Sequence, residues 1–254
     1  MMHHLYTPEG EAALEAVVSR RPLLAFDFDG TLTPIVSRPE DVRLDPAVAA
    51  QLAALNRRLP LAILTGRRYD DVRERLGFEP TFVVGGHGAE DESGLAFSQP
   101  MRAAMRRQRR HIGRHAATLH DAGVGVEDKG SSIALHYRLA ADHDRALDAI
   151  HAALTPLDEG LRVFGGKKVV NIVPRDAPNK ADAVLRLLAR SNATALLFAG
   201  DDLNDEPVFE AAQPGWLTIL VGNLPSRSRA QYFLSGPDEV AALLGRVGAL
   251  LPAR

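Results

Sequence analysis

The stretch Phe26-Asp27-Phe28-Asp29-Gly30-Thr31-Leu32-Thr33 constrains this chain more than any other. The run Leu23-Leu24-Ala25-Phe26 leads straight into it. Apolar runs of that length without alternation suit parallel strands buried on both faces. Ending such a strand on two aspartates is unfavourable for stability, because buried carboxylates need an ion-pair partner or a metal. In an open α/β sheet, ligands bind beyond the carboxyl ends of the strands. Asp27 and Asp29 stand at that position, plausible neighbours of one crevice. Gly30 lets the backbone approach a ligand closely, and the N–H groups of Asp29, Gly30 and Thr31 could cradle a phosphate. An Asp-Gly pair alone reads as a turn with a helix cap; Asp-x-Asp-Gly-Thr after an apolar strand reads as a site.

Further runs share the pattern: Leu61-Ala62-Ile63-Leu64, Phe82-Val83-Val84, Leu196-Leu197-Phe198-Ala199 and Leu217-Thr218-Ile219-Leu220-Val221. Helical spacing lies between most of them. Asp45-Pro46 opens a segment with Val48, Leu52 and Leu55, and Asn179 precedes one with Ala183, Val184, Leu187 and Leu188. Asp45 suits the cap position and Pro46 the first turn. This alternation predicts an α/β fold, a Rossmann-like parallel sheet with helices on both faces. The middle differs. It reads as a basic helix, residues 123–138, a second helix and residues 161–173, that is, two helices and an antiparallel sheet inserted as a lid. The expected division is a core of residues 1–100 and 176–254 and a smaller α+β cap of residues 101–175.

The 254 residues are 46% hydrophobic, enough for a sizeable core. The formal net charge of -2 argues against a protein that coats nucleic acid or an acidic membrane. The arginines at 102, 106, 107, 109, 110 and 114 have no interleaved aromatic residues to stack bases, and read as a solvated lid helix. His111 and His115 read as surface histidines. No cysteine is present, which excludes disulfides, zinc-thiolate sites and thiol nucleophiles. No signal-peptide core or membrane-length apolar run is visible. The expectation is a soluble, cytoplasmic monomer that handles a small molecule, without nucleic-acid or membrane partners.

A second acidic cluster, Gly200-Asp201-Asp202-Leu203-Asn204-Asp205-Glu206, again follows an apolar run. Clustered carboxylates repel unless a cation offsets them, and an all-oxygen donor set suits Mg²⁺. Thr65-Gly66-Arg67 ends another strand and offers a hydroxyl and a backbone N–H to an anion. Lys180 sits at a helix start, where positive charge opposes the dipole and makes sense beside an anion.

In order and spacing these four segments resemble the haloacid dehalogenase superfamily. More narrowly, Gly86-His87-Gly88-Ala89-Glu90, Glu127-Asp128-Lys129, His136-Tyr137-Arg138 and Asp205-Glu206-Pro207-Val208-Phe209 resemble the trehalose-6-phosphate phosphatases. The resemblance implies a haloacid dehalogenase-type core with a cap, Mg²⁺, and an aspartyl-phosphate intermediate in trehalose biosynthesis. It implies Asp27 as nucleophile and metal ligand, Asp29 as general acid and base with its carbonyl on the metal, and Asp201 as a further ligand. Asp205 lies nearby, with Asp202 as its rival for the metal. Thr65 and Lys180 would hold the phosphoryl group. Gly66, Arg67 and His87 would neighbour the substrate, and Glu127, Lys129 and Asn171 would contact the sugar. Asn171 stands where the family usually carries a glutamate. Sucrose 6-phosphate or a glycosyl-3-phosphoglycerate is therefore an alternative substrate. A non-catalytic sugar-phosphate-binding module is a further alternative.

Overall fold

Leu23–Phe26 is an interior strand of a seven-stranded sheet. The computed structural model describes residues 2–36, 39–166, 168–222 and 228–252. The strand order is His3–His4, Tyr232–Leu234, Trp216–Val221, Leu196–Gly200, Leu23–Phe26, Leu61–Leu64, Phe82–Val84, and every pairing is parallel. The apolar runs are continuous because both faces are covered. Leu24, Phe26, Leu61, Ile63, Leu197 and Ala199 enter one hydrophobic cluster. Their neighbours Leu23, Ala25, Ala62, Leu64, Leu196 and Phe198 enter the other. Period-two alternation thus persists, with apolar residues on both sides.

Helices Pro8–Ser19, Pro46–Asn56, Tyr69–Leu76 and Pro237–Leu250 supply the first cluster. Lys180–Ser191 and Glu206–Glu210 supply the second. The two expected caps are present. Asp45 Oδ1 accepts from the Ala47 and Val48 N–H groups at 2.8 and 3.3 Å. Asn179 forms a capping box with Asp182. The flanking strands and helices near both ends of the chain were not foreseen; the His3–His4 strand is two polar-rich residues at a sheet edge and carries no periodic signal.

The chain divides into two compact units, residues 1–92 with 179–254, and residues 93–178. The second unit thus begins earlier and ends later than the expected 101–175. Arg102 explains the early start, since it donates to the carbonyls of Phe97 and Leu95 and ties the entering segment to the helix Gln99–Arg114. At the other end the Arg175 and Ala177 N–H groups bond back to Gly160 and Pro174. Within this unit, Gly125–Asp128, Ile133–His136, Val169–Pro174 and Leu161–Gly166 form an antiparallel sheet in that order. Among the described residues it holds three helices rather than two: Gln99–Arg114, the short Ala116–Asp121, and His143–Ala153. The basic helix buries Ala104, Met105, Gln108 and Ile112, while Arg107 and Arg109 pair with Asp158 and Asp128.

Candidate active site

Asp27 continues the strand Leu23–Phe26 by one ladder bond, its N–H donating to the Ala199 carbonyl at 2.9 Å. Lys180 is the first residue of the helix Lys180–Ser191, and its Nζ lies 2.6 Å from Asp27 Oδ1 and 2.7 Å from Asp205 Oδ1. The other Asp205 oxygen accepts from the Asp201 and Asp202 N–H groups, both at 3.0 Å. Asp205 is therefore a bracket that folds the loop after Leu196–Gly200 and anchors the lysine. Asp27, Asp201 and Asp205 are all buried and bring one carboxylate oxygen each within 4.8 Å of the others. Gly30 sits at φ +90°, and a Cβ there would lie 2.1 Å from Asp201 Oδ2. A Cβ at Gly200 would lie 2.3 Å from the Asp205 carboxyl carbon. Both glycines are requirements of the acidic cluster.

Two of the three buried carboxyl groups, those of Asp27 and Asp205, share the Lys180 ammonium. Burial pushes the Asp27 pKa well up, and Lys180 only partly offsets this. Burial would lower Lys180, but Asp205 and Asp27 outweigh it and raise its pKa. Two partners of one ion pair thus move the same way. Lys180 therefore stays protonated and serves Asp205 and Asp27 together. A buried, oxygen-only set of three convergent carboxylates fits a divalent cation such as Mg²⁺.

The strand Leu61–Leu64 delivers the next part. Thr65 N–H donates to the Val84 carbonyl at 2.9 Å, and Thr65 Oγ1 accepts from the Arg67 N–H at 3.1 Å. The turn 85–90 grips this loop: Gly86 N–H bonds the Arg67 carbonyl and His87 N–H the Thr65 carbonyl, at 2.8 and 2.9 Å. His87 takes φ 59°, unusual for a residue with a Cβ. Its ring lies over Gly66, where a Cβ would come within 2.3 Å of the ring carbon Cε1. The same turn meets the start of the lysine helix. A Cβ on Gly88 would fall 2.2 Å from the Asn179 carbonyl oxygen, and Arg186 donates to the Gly88 carbonyl at 2.9 Å. Thr65, Gly66 and Lys180 are thereby held through one short segment.

Asp29 lies outside the carboxylate cluster. Arg67 binds it with a two-pronged grip, Nε to Oδ2 and Nη2 to Oδ1, both 2.7 Å. The third edge of the guanidinium reaches Asp71 Oδ2 at 3.1 Å, and Asp71 Oδ1 accepts from Arg75 Nε and Nη2. Burial acts to lower the Arg67 pKa, but Asp29 and Asp71 override it and raise it. Partial burial acts to raise Asp71, and the hydrogen bonds from Arg75 and Arg67 override that and lower it. Asp71 and Arg75 escaped the sequence reading. Their signal is the four-residue spacing from Arg67 through Asp71 to Arg75 across a helix start, which many solvated helices share.

In the second unit, Glu127 Oε2 lies 2.8 Å from His136 Nε2 and 3.7 Å from Lys129 Nζ. Glu127 and Asn171 both register against Ala134 from opposite sides, so they share one face of that sheet. Asn171 is buried.

The trehalose-phosphatase family profile matches residues 25–238. The chain belongs to this family. It is 30% identical to a trehalose-phosphate phosphatase of Mycobacterium tuberculosis over 256 residues, covering 93% of this chain and 64% of that protein. It is 34% identical to an uncharacterized glycosyl hydrolase of the same organism, covering 91% of this chain but 18% of that protein. The chain therefore spans less than two thirds of the curated relatives it matches. Among solved structures, the C-terminal domain of Candida albicans trehalose-6-phosphate phosphatase superposes with a TM-score of 0.81 at 23% identity, covering 99% of both chains. The sucrose-phosphatase of Synechocystis gives 0.57 at 22% identity, covering 91% of this chain and 98% of that one. At these identities the likeness establishes the fold, a haloacid dehalogenase-type α/β core. No helix among the described residues is long and apolar enough to cross a membrane.

Proposed function

We propose that the chain is an Mg²⁺-dependent phosphatase that hydrolyses trehalose 6-phosphate to trehalose and phosphate through a phosphoryl group carried on Asp27. The observation that supports this most is the meeting of Asp27, Asp201, Asp205 and Lys180 in one buried cluster, within a trehalose-phosphatase family member. Asp27 attacks phosphorus as the bond to the sugar oxygen breaks, and Asp29 gives that oxygen a proton. Asp29 then takes a proton from water, which attacks phosphorus and releases Asp27 and inorganic phosphate. Thr65 Oγ1, the Gly66 N–H and Lys180 Nζ hold the phosphoryl oxygens, where the transition state is stabilised mainly by position and charge. Asp27, Asp201 and the Asp29 carbonyl would hold Mg²⁺, with Asp205 bracing them. The ion would offset repulsion between carboxylate and phosphate dianion. Arg67 and His87 shape the phosphate loop, and Glu127, Lys129 and Asn171 read the sugar. The setting is cytoplasmic, with a sugar phosphate as the small-molecule partner of a monomeric enzyme.

Asn171 favours one second reading. An amide replaces the carboxylate usual in the family, so the same chemistry acting on sucrose 6-phosphate or a glycosyl-3-phosphoglycerate is the rival. A purely binding module is disfavoured by the retained Asp27, Asp29, Lys180 and Asp201. Phosphate release with Mg²⁺, compared as kcat/KM across these esters, decides the substrate. Trehalose 6-phosphate ranking low would overturn the assignment. Asp27→Asn is expected to lower kcat by about a thousandfold or more, and a near-normal rate would overturn the mechanism.

A further inference from the structure

The grip of Arg67 on Asp29 is itself supported from behind. A guanidinium presents its donors in a fixed plane. Two of them, Nε and Nη2, meet the two Asp29 oxygens at 2.7 Å each. The remaining terminal nitrogen, Nη1, reaches Asp71 Oδ2 at 3.1 Å. Asp71 is in the first turn of the helix Tyr69–Leu76 and cannot drift, because its other oxygen accepts from Arg75 Nε at 3.0 Å and Nη2 at 2.5 Å. Arg75 in turn donates to the backbone carbonyls of Glu40 and Val42 at 2.7 and 3.0 Å. On its other side, the Arg67 guanidinium carbon stands 5.7 Å from the centre of the buried Phe28 ring. The row Asp29, Arg67, Asp71, Arg75 thus runs from the strand-end loop to fixed backbone with alternating charge. Asp71 and Arg75 are not among the clustered carboxylates and take no part in the chemistry described above.

We propose that Asp71 is a positioning residue that, through Arg67, sets the orientation in which Asp29 delivers its proton to the departing sugar oxygen. The inference rests on the reading of Asp29 as general acid. Misplacing a reacting group slightly is enough to slow a step severely, and the Asp71 contact at Nη1 fixes the guanidinium at the edge away from Asp29.

The test uses two phosphate esters. In both, the bond from phosphorus to the leaving oxygen breaks as the bond to Asp27 forms. Trehalose 6-phosphate expels an alkoxide that must be protonated; p-nitrophenyl phosphate expels a stable phenolate that needs little help. kcat/KM reports this first half-reaction alone. Asp71→Ala is expected to lower kcat/KM for trehalose 6-phosphate by about tenfold or more, with the value for p-nitrophenyl phosphate kept within about threefold. Asp71→Asn keeps an oxygen acceptor and is expected to show the same bias at smaller size, which covers the case in which the alanine variant folds poorly. Equal losses on the two esters, or no loss, would overturn the proposal. Asp29→Asn is the control for the underlying reading. If it shows no bias between esters, the reading of Asp29 fails; if it does and neither Asp71 variant does, only the role of Asp71 fails. In an Arg67→Ala background, Asp71→Ala is expected to add no further bias, and an added bias would overturn the route through Arg67.

Discussion

Lys180 is almost fully buried, 2% exposed, and its ammonium touches two carboxylates. Replacing it with methionine leaves the volume and strands the charges. Removing one partner of a buried ion pair typically costs about 3–5 kcal/mol. Lys180→Met should therefore lose activity and also unfold at markedly lower denaturant. A variant that loses activity at unchanged stability would show that the two carboxylates do not depend on the lysine. Gly30→Ala is the steric counterpart. Its Cβ would strike the Asp201 carboxylate and its backbone would be held at φ +90°, so Mg²⁺ affinity measured by titration should weaken with kcat. Asp27, Lys180 and Asp201 were legible because chemistry there breaks local rules: acids end apolar strands, and a lysine opens a helix. Asp71 and Arg75 break no rule. Charged residues four apart on a helix are ordinary, and only coordinates reveal that their row ends on Asp29.

Elements were legible where two periodicities met a cap or a turn. The interior strands are mostly apolar because helices cover both faces, and the two predicted helix starts carry side-chain caps. Asp45→Ala should cost about 1 kcal/mol of stability, the usual size for a lost cap, without touching kcat. Of the two edges of the sheet, the one formed by His3–His4 was illegible, since that strand is held by tertiary partners. Next to it, Tyr6 Oη donates to the Glu239 carbonyl at 2.7 Å and Arg246 covers the ring at 4.3 Å. Burial raises the Tyr6 pKa from 10.0 to about 12, with Arg246 opposing. A raised pKa means that the folded state keeps the phenol proton longer than the unfolded chain does. The contribution is complete below pH 10.0 and is lost as pH climbs towards about 12. Unfolding free energy should fall across that window in the parent, and less steeply in Tyr6→Phe. Parallel curves would assign the alkaline loss to other groups.

The acidic cluster makes a demand on the whole unit that holds it. The proposed ion, held at the cluster of Asp27, Asp201 and Asp205, would bind the folded form and not the unfolded chain, which does not bring these carboxylates together. Excess Mg²⁺ over EDTA should raise the unfolding midpoint, by about 2.7 kcal/mol of stability at about a hundredfold excess over Kd. Asp201→Asn should abolish most of that increment, and a midpoint indifferent to Mg²⁺ in the parent would rule out a resident ion at this cluster.

The strand Leu23–Phe26 pairs with Leu61–Leu64 on one side and with Leu196–Gly200 on the other. The first neighbour leaves the ribosome soon after it; the second comes only after the entire inserted unit has been made. Until then the growing polypeptide carries a naked greasy edge beside Asp27 and has neither Asp201 nor Lys180 to offer. A copy cut short by a premature stop within the insertion would be inert as well as sticky. The centre of the sheet is thus closed by a strand that comes later in the chain than the whole inserted unit.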